Sequence, residues 1–212
     1  METATKTFYE KRGNLLVRNL KAHHFDAFYC ATRQEALEKA LELIPEGSKV
    51  GWGGAMSAQQ IGLLDAVNNG PYQALDRDKA ATPEERNAIM RSCFDSDYFI
   101  VGANALSLDG QMVSIDGMGN RVGMIVYGPK HILVIAGMNK VQDDLESAVR
   151  RARTIAAPQN AQRFGLPNPC SVTGSCGNCK NETSICNQLL ITRNSKPAGR
   201  IKVIVVGEEL GF

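Results

Sequence analysis

Two uninterrupted apolar runs in the middle of the chain constrain its fold more than any other feature. Residues 98–102 (Tyr-Phe-Ile-Val-Gly) and 132–136 (Ile-Leu-Val-Ile-Ala) are short and show no polar alternation. Such runs are typical of parallel strands covered on both faces, because a strand with one solvated face alternates polar and apolar residues. Helical patterns at 82–94 and 143–157 precede and follow these runs. The alternation of strands and helices predicts an α/β fold with a mainly parallel sheet flanked by helices.

The 212 residues are predicted to divide into an N-terminal helical segment and one α/β domain. Residues 1–48 are expected to pack as helices on the core, with helical spacing from about residue 3 to residue 43. Residues 49–212 are expected to form the α/β domain. Within this domain a helix is predicted at 57–67, directly after a glycine-rich turn. A weaker alternation at 111–115 predicts a strand near an edge of the sheet.

The composition excludes several classes of partner. The formal net charge is +2, and 43% of the residues are hydrophobic while 22% are charged. This balance predicts no nucleic-acid partner and no association with a membrane, and no apolar stretch is long enough to span a bilayer. Residues 1–10 mix acid, base and Thr, unlike a secretory signal, so we expect a cytoplasmic, reducing location. A homo-oligomer remains possible.

Four of the six cysteines lie close together in the chain. Cys170, Cys176, Cys179 and Cys186 belong to residues 168–188, a Cys-rich insert before the last two strands that is too rich in Gly, Ser, Thr and Asn to be core. In a reducing compartment, grouped thiols favour metal binding over disulfides. Four thiolates with irregular spacing favour a [4Fe–4S] cluster, and structural zinc is the alternative. Thiols without a metal, either regulatory or accidental, are the third reading.

A glycine-rich turn follows the predicted strand at 49–52. Gly53, Gly54 and Ser57 lie where the strand meets a helix, a place whose exposed backbone amides suit a phosphate or a carboxylate. A tight turn that needs glycine for its backbone angles explains the same residues equally well.

The loop after the apolar strand at 98–102 carries a second set of polar residues. The carboxyl ends of strands in an open α/β sheet line the ligand crevice, and Asn104 leaves such an end directly. Asp109 and Asp116 could form a general acid/base pair, although both precede glycine and could simply be turn residues. Asn120 and Arg121 add polar groups able to contact a carboxylate or a phosphate.

Three motifs resemble those of the LUD-domain, or lactate-utilisation, family. They are Gly-Ala-Asn-Ala-Leu-Ser-Leu-Asp-Gly at 102–110, Asp-Gly-Met-Gly-Asn-Arg at 116–121, and Tyr-Gly-Pro-Lys-His-Ile at 127–132. The resemblance runs from about residue 49 to residue 155, and the Cys-rich tail is typical of one anaerobe-associated branch. It implies a fold like that of sugar-phosphate isomerases and coenzyme A transferases. In those enzymes the first βα loop holds an anion, which adds weight to Gly53, Gly54 and Ser57.

The resemblance also implies a link to the oxidation of lactate, in which some family members carry iron–sulfur centres. The chain lacks tandem ferredoxin-like cysteine runs, so a two-cluster electron relay is excluded. The leading expectation is a protein that holds one [4Fe–4S] cluster and a small carboxylate- or phosphate-bearing ligand, with an electron-transfer or redox role and a redox partner protein. Two alternatives stay open: a non-redox isomerase or transferase with structural zinc, and a regulatory module that senses metal or oxidation.

Overall fold

The computed structural model describes residues 3–212 as two sheets surrounded by helices. The strands are β1 Asp26–Cys30, β2 Lys49–Gly53, β3 Gln73–Leu75, β4 Tyr98–Gly102, β5 Ala105–Ser107, β6 Gln111–Asp116, β7 His131–Gly137, β8 Val141–Gln142, β9 Gln188–Thr192 and β10 Ile201–Val206. The helices are α1 Thr3–Ala22, α2 Arg33–Leu43, α3 Met56–Gln60, α4 Leu63–Asn69, α5 Pro83–Ser92, α6 Asn120–Val126, α7 Leu145–Arg151, α8 Ala157–Phe164 and α9 Pro169–Thr173. A π-helical turn, Ala152–Ala156, joins α7 to α8.

The main sheet has six strands in the order β1-β10-β7-β4-β2-β3, and every neighbouring pair is parallel. The predicted α/β class with a mainly parallel sheet is therefore confirmed. Alternate residues of the central strands enter separate cores on the two faces. Phe99 and Val134 pack on the face covered by α1, and Ile100 and Leu133 pack on the opposite face. Because both faces are covered, β4 and β7 are almost entirely apolar, with His131 as a polar residue at the start of β7.

A smaller sheet with the order β8-β5-β6-β9 lies beyond the carboxyl end of β4. Strand β6 pairs with β5 on one side and with β9 on the other, both antiparallel. The strand predicted at 111–115 is therefore present and lies next to the edge strand β9, although in a second sheet that was not expected. Strand β9 returns to β6 only after the cysteine segment, residues 168–188, and such a distant pairing leaves no local pattern in the sequence.

The prediction of helical structure from about residue 3 to residue 43 is wrong in the middle of this range. His24 has a φ of 63°, the left-handed conformation that ends a helix, and β1 follows at once. Strand β1 contains Phe28 and Tyr29, which favour strands, and it pairs in parallel with β10 at the sheet edge. Gly62, with a φ of 81°, similarly divides the helix predicted at 57–67 into α3 and α4.

None of the helices between residues 3 and 212 combines the length and the apolar character that a membrane crossing requires.

Candidate functional site

A cleft opens where β2 and β4 end and where the loop after β7 begins. It consists of two adjoining cavities, whose linings share Gly54, Arg77, Arg121, Asn160 and Arg163. The inner chamber, of about 100 Å³, reaches Lys140 and Asn104. The outer chamber, of about 400 Å³, reaches Asp116 and the cysteine segment. The cleft therefore lies at the carboxyl edge of the parallel sheet, where ligands of open α/β folds bind.

Arg121 lies between the two chambers, where groups from β6 and from the loop between β4 and β5 hold its side chain. Its guanidinium donates hydrogen bonds to the carbonyl of Ile115 and, over 3.3 Å, to Oδ1 of Asn104. Burial lowers its pKa, an effect that Asp116 partly offsets. Gly54 adopts a φ of +61°, and a Cβ there would stand 2.5 Å from Nη1 of Arg121. Glycine at this position is thus what lets the guanidinium reach the strand end.

Lys140 is the innermost cation of the cleft. It follows β7, only 4% of it is exposed, and its Nζ donates a hydrogen bond to Oγ of Ser57 over 3.0 Å. Burial, reinforced by the positive charges of Arg151 and Arg121, lowers the pKa of this amine to about 7. A buried ammonium with only a hydroxyl partner is costly, so an anion at this place would be stabilised strongly.

The walls carry more positive than negative charge. Arg77, Arg86 and Arg163 join Arg121 and Lys140, whereas Asp78 and Asp116 are the acids among the lining residues. Asp78 pairs with Arg86 at 2.9 Å. The Nε of Arg77 is buried and finds no hydrogen-bond partner in residues 3–212. These unbalanced donors make the cleft a candidate binding site for a carboxylate or a phosphate.

The structure brings most of the predicted ligand-binding residues to this cleft. Gly54, Asn104 and Arg121 line the inner chamber, and Gly53 and Asn120 line the outer one. Ser57 is completely buried and positions Lys140, while donating a hydrogen bond of 3.3 Å to the carbonyl of Leu210. Its role in the geometry is therefore to hold a cation rather than to face the cavity.

The two predicted acids do not come together. Asp109 lies in the turn between β5 and β6 and accepts hydrogen bonds from Ser107 and Gln111. Asp116 ends β6, so roughly 20 Å of extended chain separates the two carboxylates. Asp116 lines the outer chamber and accepts from the backbone N–H of Arg121 over 3.0 Å, at the start of α6. A paired acid/base mechanism through both residues does not fit this geometry.

Arg151 lies at the end of α7, and unlike its neighbour Arg150 it is not exposed to solvent. Arg151 is only 6% exposed and donates to the carbonyls of Asn139, Asn104 and Phe212 over 2.9, 2.6 and 3.3 Å. It ties the loops that carry Asn104 and Lys140 to the helix behind them. Three carbonyls converge on this side chain from distant parts of the chain, a feature that helical periodicity does not reveal.

Sequence reasoning missed the cations Arg77, Lys140 and Arg163. Lys140 had a usable signal, because it follows a predicted buried strand just as Asn104 does. Arg163 lay beyond the predicted end of the helix at residue 157, since the π-helical turn carries the helix on to Phe164. Arg77 lies in a 3₁₀ turn with no distinctive pattern. Insertions of this π-helical kind are frequent at functional sites.

Asn168, a buried residue, joins the beginning of the cysteine segment to its later part through three hydrogen bonds of its side-chain amide. The side chain donates to the carbonyl of Thr183 over 3.0 Å and accepts from the Thr183 hydroxyl over 2.8 Å and from Asn181 over 3.0 Å. Residues 168 and 183 are therefore neighbours in space. This closure brings the first and last cysteines of the segment back toward one another.

The other three thiols of the segment lie close enough to Cys186 to affect its titration. Partial burial, followed by the negative charges of Cys176, Cys170 and Cys179, raises the pKa of the Cys186 thiol to about 11. All four thiols are free. Within residues 3–212, however, no three His, Cys, Asp or Glu side chains surround a common point as metal ligands would. The donor chemistry suits a thiolate-bound metal, while the arrangement of the segment does not close a metal site.

The segment also forms part of the cleft wall. Ile185 of the segment lines the outer chamber, as does Leu166 just before it. The side-chain amide of Asn187 donates to the carbonyl of Gly117 over 3.0 Å, and its backbone N–H donates to the carbonyl of Asp116 over 2.9 Å. The cysteines and the cation-lined cleft are thus adjacent parts of one region.

A solved structure of another protein has a similar architecture. A DUF162 family protein from Deinococcus radiodurans has a similar structure, with a TM-score of 0.54 and 11% identity over 93% of this chain and 98% of that chain. Ribose 5-phosphate isomerase A from Neisseria gonorrhoeae (TM-score 0.35, 19% identity, 53% of this chain and 54% of that chain) is more distant. The isomerase from Methanocaldococcus jannaschii (TM-score 0.36, 15% identity, 63% and 66%) is similarly distant.

No curated protein matches the chain. The sequence profile of the LUD domain, in contrast, matches residues 14–206, which include both sheets, the cleft and the cysteine segment. The resemblance found in the three motifs is confirmed over a longer range, and the chain belongs to the LUD-domain family.

Proposed function

We propose that this LUD domain binds a small organic anion, a carboxylate or a phosphate ester, in the cleft. The observation that carries the proposal is Lys140, a buried amine whose only polar partner among the described residues is the Ser57 hydroxyl. Arg77, Arg121 and Arg163 surround the same cavity. An anion would offset the cost of burying these cations, and planar guanidinium groups match the oxygens of carboxylates and phosphates.

Calorimetric titration of the full chain tests this proposal. We expect inorganic phosphate or a simple carboxylate to bind, and we expect Lys140→Met to weaken binding at least tenfold at pH 6.5. Lys11→Met removes an exposed lysine of α1 and is the matched control. If neither anion binds, or if both variants behave like the native chain, the cleft is not an anion site.

We further propose that Cys170, Cys176, Cys179 and Cys186 bind a [4Fe–4S] cluster, with zinc as the alternative. Support comes from the four thiol donors, from the effect of the other three thiols on the pKa of Cys186, and from the hydrogen bonds of Asn168 that close the segment. Such a cluster would supply one-electron redox chemistry. Family membership supports an association with lactate utilisation, and the proposed role is electron transfer in organic-acid oxidation with a separate redox partner protein in a reducing, cytoplasmic location.

Anaerobic purification with analysis of iron, zinc and acid-labile sulfide decides between the metals. Matching iron and sulfide that disappear together in a variant with all four cysteines changed to Ser support the cluster. Cys30→Ala, which removes a buried thiol at the end of β1, is the control and should keep the metal. Zinc, or no metal, would remove the redox role.

A further inference from the structure

The two chambers of the cleft differ in chemistry. The inner chamber is polar and ends at Lys140. The outer chamber has a basic side, formed by arginines, and an apolar side formed by Ile115, Met118, Phe164, Leu166 and Ile185. A ligand consisting only of a small anion would occupy the inner chamber and leave the apolar side uncovered.

The apolar side contains large side chains that the fold does not bury. Met118 is 90% exposed, and Phe164 is 51% exposed. Gly117 lets the cysteine segment approach closely, since a Cβ there would lie 3.3 Å from Cα of Ile185. Exposed apolar side chains grouped beside a charged pocket indicate a binding surface for a molecule with a matching apolar part.

The two chambers share the lining residues Gly54, Arg77, Arg121, Asn160 and Arg163, so they lie directly next to one another. The guanidinium of Arg163 lies over the Phe164 ring, 4.4 Å from its centroid. The charged and apolar surfaces therefore meet side by side at the junction. A molecule with its anionic group inside and its carbon chain outside matches both surfaces.

We propose that the ligand is an organic acid with an apolar chain of several carbons. Its anionic group lies at Lys140 and Arg121, and its chain lies along Met118, Leu166 and Ile185. The cysteine segment then selects the ligand by chain length, and lactate-sized acids bind more weakly than longer ones. This inference rests on the proposed anion site and names the class of acid that the site prefers.

A chain-length series tests the inference on the anaerobically purified full chain. Unbranched monocarboxylates from acetate to octanoate are titrated by calorimetry at fixed pH and ionic strength. Burial of each methylene is expected to raise the affinity about fourfold until the chamber is filled. Met118→Asp and Ile185→Asp should flatten this slope, because they replace apolar surface with a carboxylate. The added charge lowers the affinity of every acid in the series, so the slope and not the absolute affinity is compared.

Two further variants separate the possible outcomes. Lys140→Met should lower the affinity of every acid by a similar factor and keep the slope. Val172→Asp changes an 83% exposed residue of the same segment away from the chamber, and it should leave the slope unchanged. Binding without a chain-length slope, or a slope that Val172→Asp reduces as much as Ile185→Asp does, overturns the inference. Binding of no anion, inorganic phosphate included, overturns the anion site itself.

Discussion

The cleft and the cysteine segment are neighbours, yet they are built differently. Cleft residues stand at the ends of central strands and are held by defined partners, as Arg121 is by Asn104 and Lys140 is by Ser57. The thiols of the cysteine segment are free, on a stretch with one short helix, α9. The cleft residues are thus held in place by the protein's own contacts, whereas a metal bound as we propose would itself have to draw the four thiols together.

The strongest test of the organised region is Arg151→Ala. Its loss leaves the carbonyls of Asn139, Asn104 and Phe212 without their shared donor. We expect the free energy of unfolding to fall by about 3–5 kcal/mol, measured by urea denaturation. Arg150→Ala, at the exposed neighbouring position, should change it by less than about 0.5 kcal/mol. Equal effects would show that Arg151 does not anchor the cleft.

Metal removal is the corresponding test of the cysteine segment. Hydrogen exchange in residues 168–188 should accelerate after chelation, while β4 and β7 keep their protection, because the sheet does not depend on the segment's thiols. The unfolding free energy should fall by about 2–4 kcal/mol relative to the metal-bound protein. Reloading should release protons, since the raised pKa of Cys186 keeps that thiol protonated without metal. Acceleration across both sheets would contradict the independence of the two regions.

Gly54→Ala tests whether anion binding depends on the position of the Arg121 side chain in the cleft. The new Cβ would meet Nη1 of Arg121 at 2.5 Å, and the residue would have to keep a φ of +61°. We expect a stability loss of about 1–2 kcal/mol from the backbone conformation and a tenfold weaker affinity for phosphate. Gly165→Ala, also at a φ of +61° but with no atom within 4 Å of a Cβ, is the control for strain alone. It should lose similar stability and retain phosphate affinity.

The pH dependence of the cleft follows from Lys140. Its pKa is lowered from 10.5 to about 7, so the ammonium loses its charge as the pH rises through 7. The affinity for a carboxylate such as acetate, whose own charge is constant in this range, should therefore fall by about tenfold between pH 6 and pH 9, a dependence absent from Lys140→Met. Stability of the unliganded chain should show the opposite trend between pH 7 and 10.5, because there the unfolded state binds more protons. Affinity that stays constant over this range would rule out a charged Lys140 as ligand.

The smallest effect is expected for Asp109. Its carboxylate is bonded within the β5–β6 turn, so Asp109→Asn should leave anion affinity unchanged and cost less than about 0.5 kcal/mol. Asp116→Asn should cost about 1 kcal/mol, because its carboxylate accepts from the first turn of α6. Thermal denaturation and the phosphate titration measure both. An equal loss of affinity in the two variants would restore the idea of an acid pair.

Particular residues show how far sequence reasoning reached. The apolar strands at 98–102 and 132–136 were predicted correctly, because burial on both faces leaves a local pattern of apolar residues. Strand β1 was not predicted, because it lies between two helices of similar composition. Asn104 and Arg121 were identified from their positions after a strand and at a helix start, whereas Arg77 and Arg163 came to the cleft from segments distant in sequence.

The class of the fold, the family motifs and the four grouped thiols could all be recognised from the sequence alone. These features depend on local burial patterns and on residue identity, which can be read along the chain. The tertiary structure was needed to show which charges meet in the cleft and that Asp109 and Asp116 are far apart. It was also needed to show that the cysteine segment forms part of the wall of the outer chamber. Those relations depend on contacts between residues far apart in the chain, such as Arg151 with Asn104 and Asn187 with Gly117. Nothing in the local sequence specifies such contacts, because they form only when the strands and helices pack together.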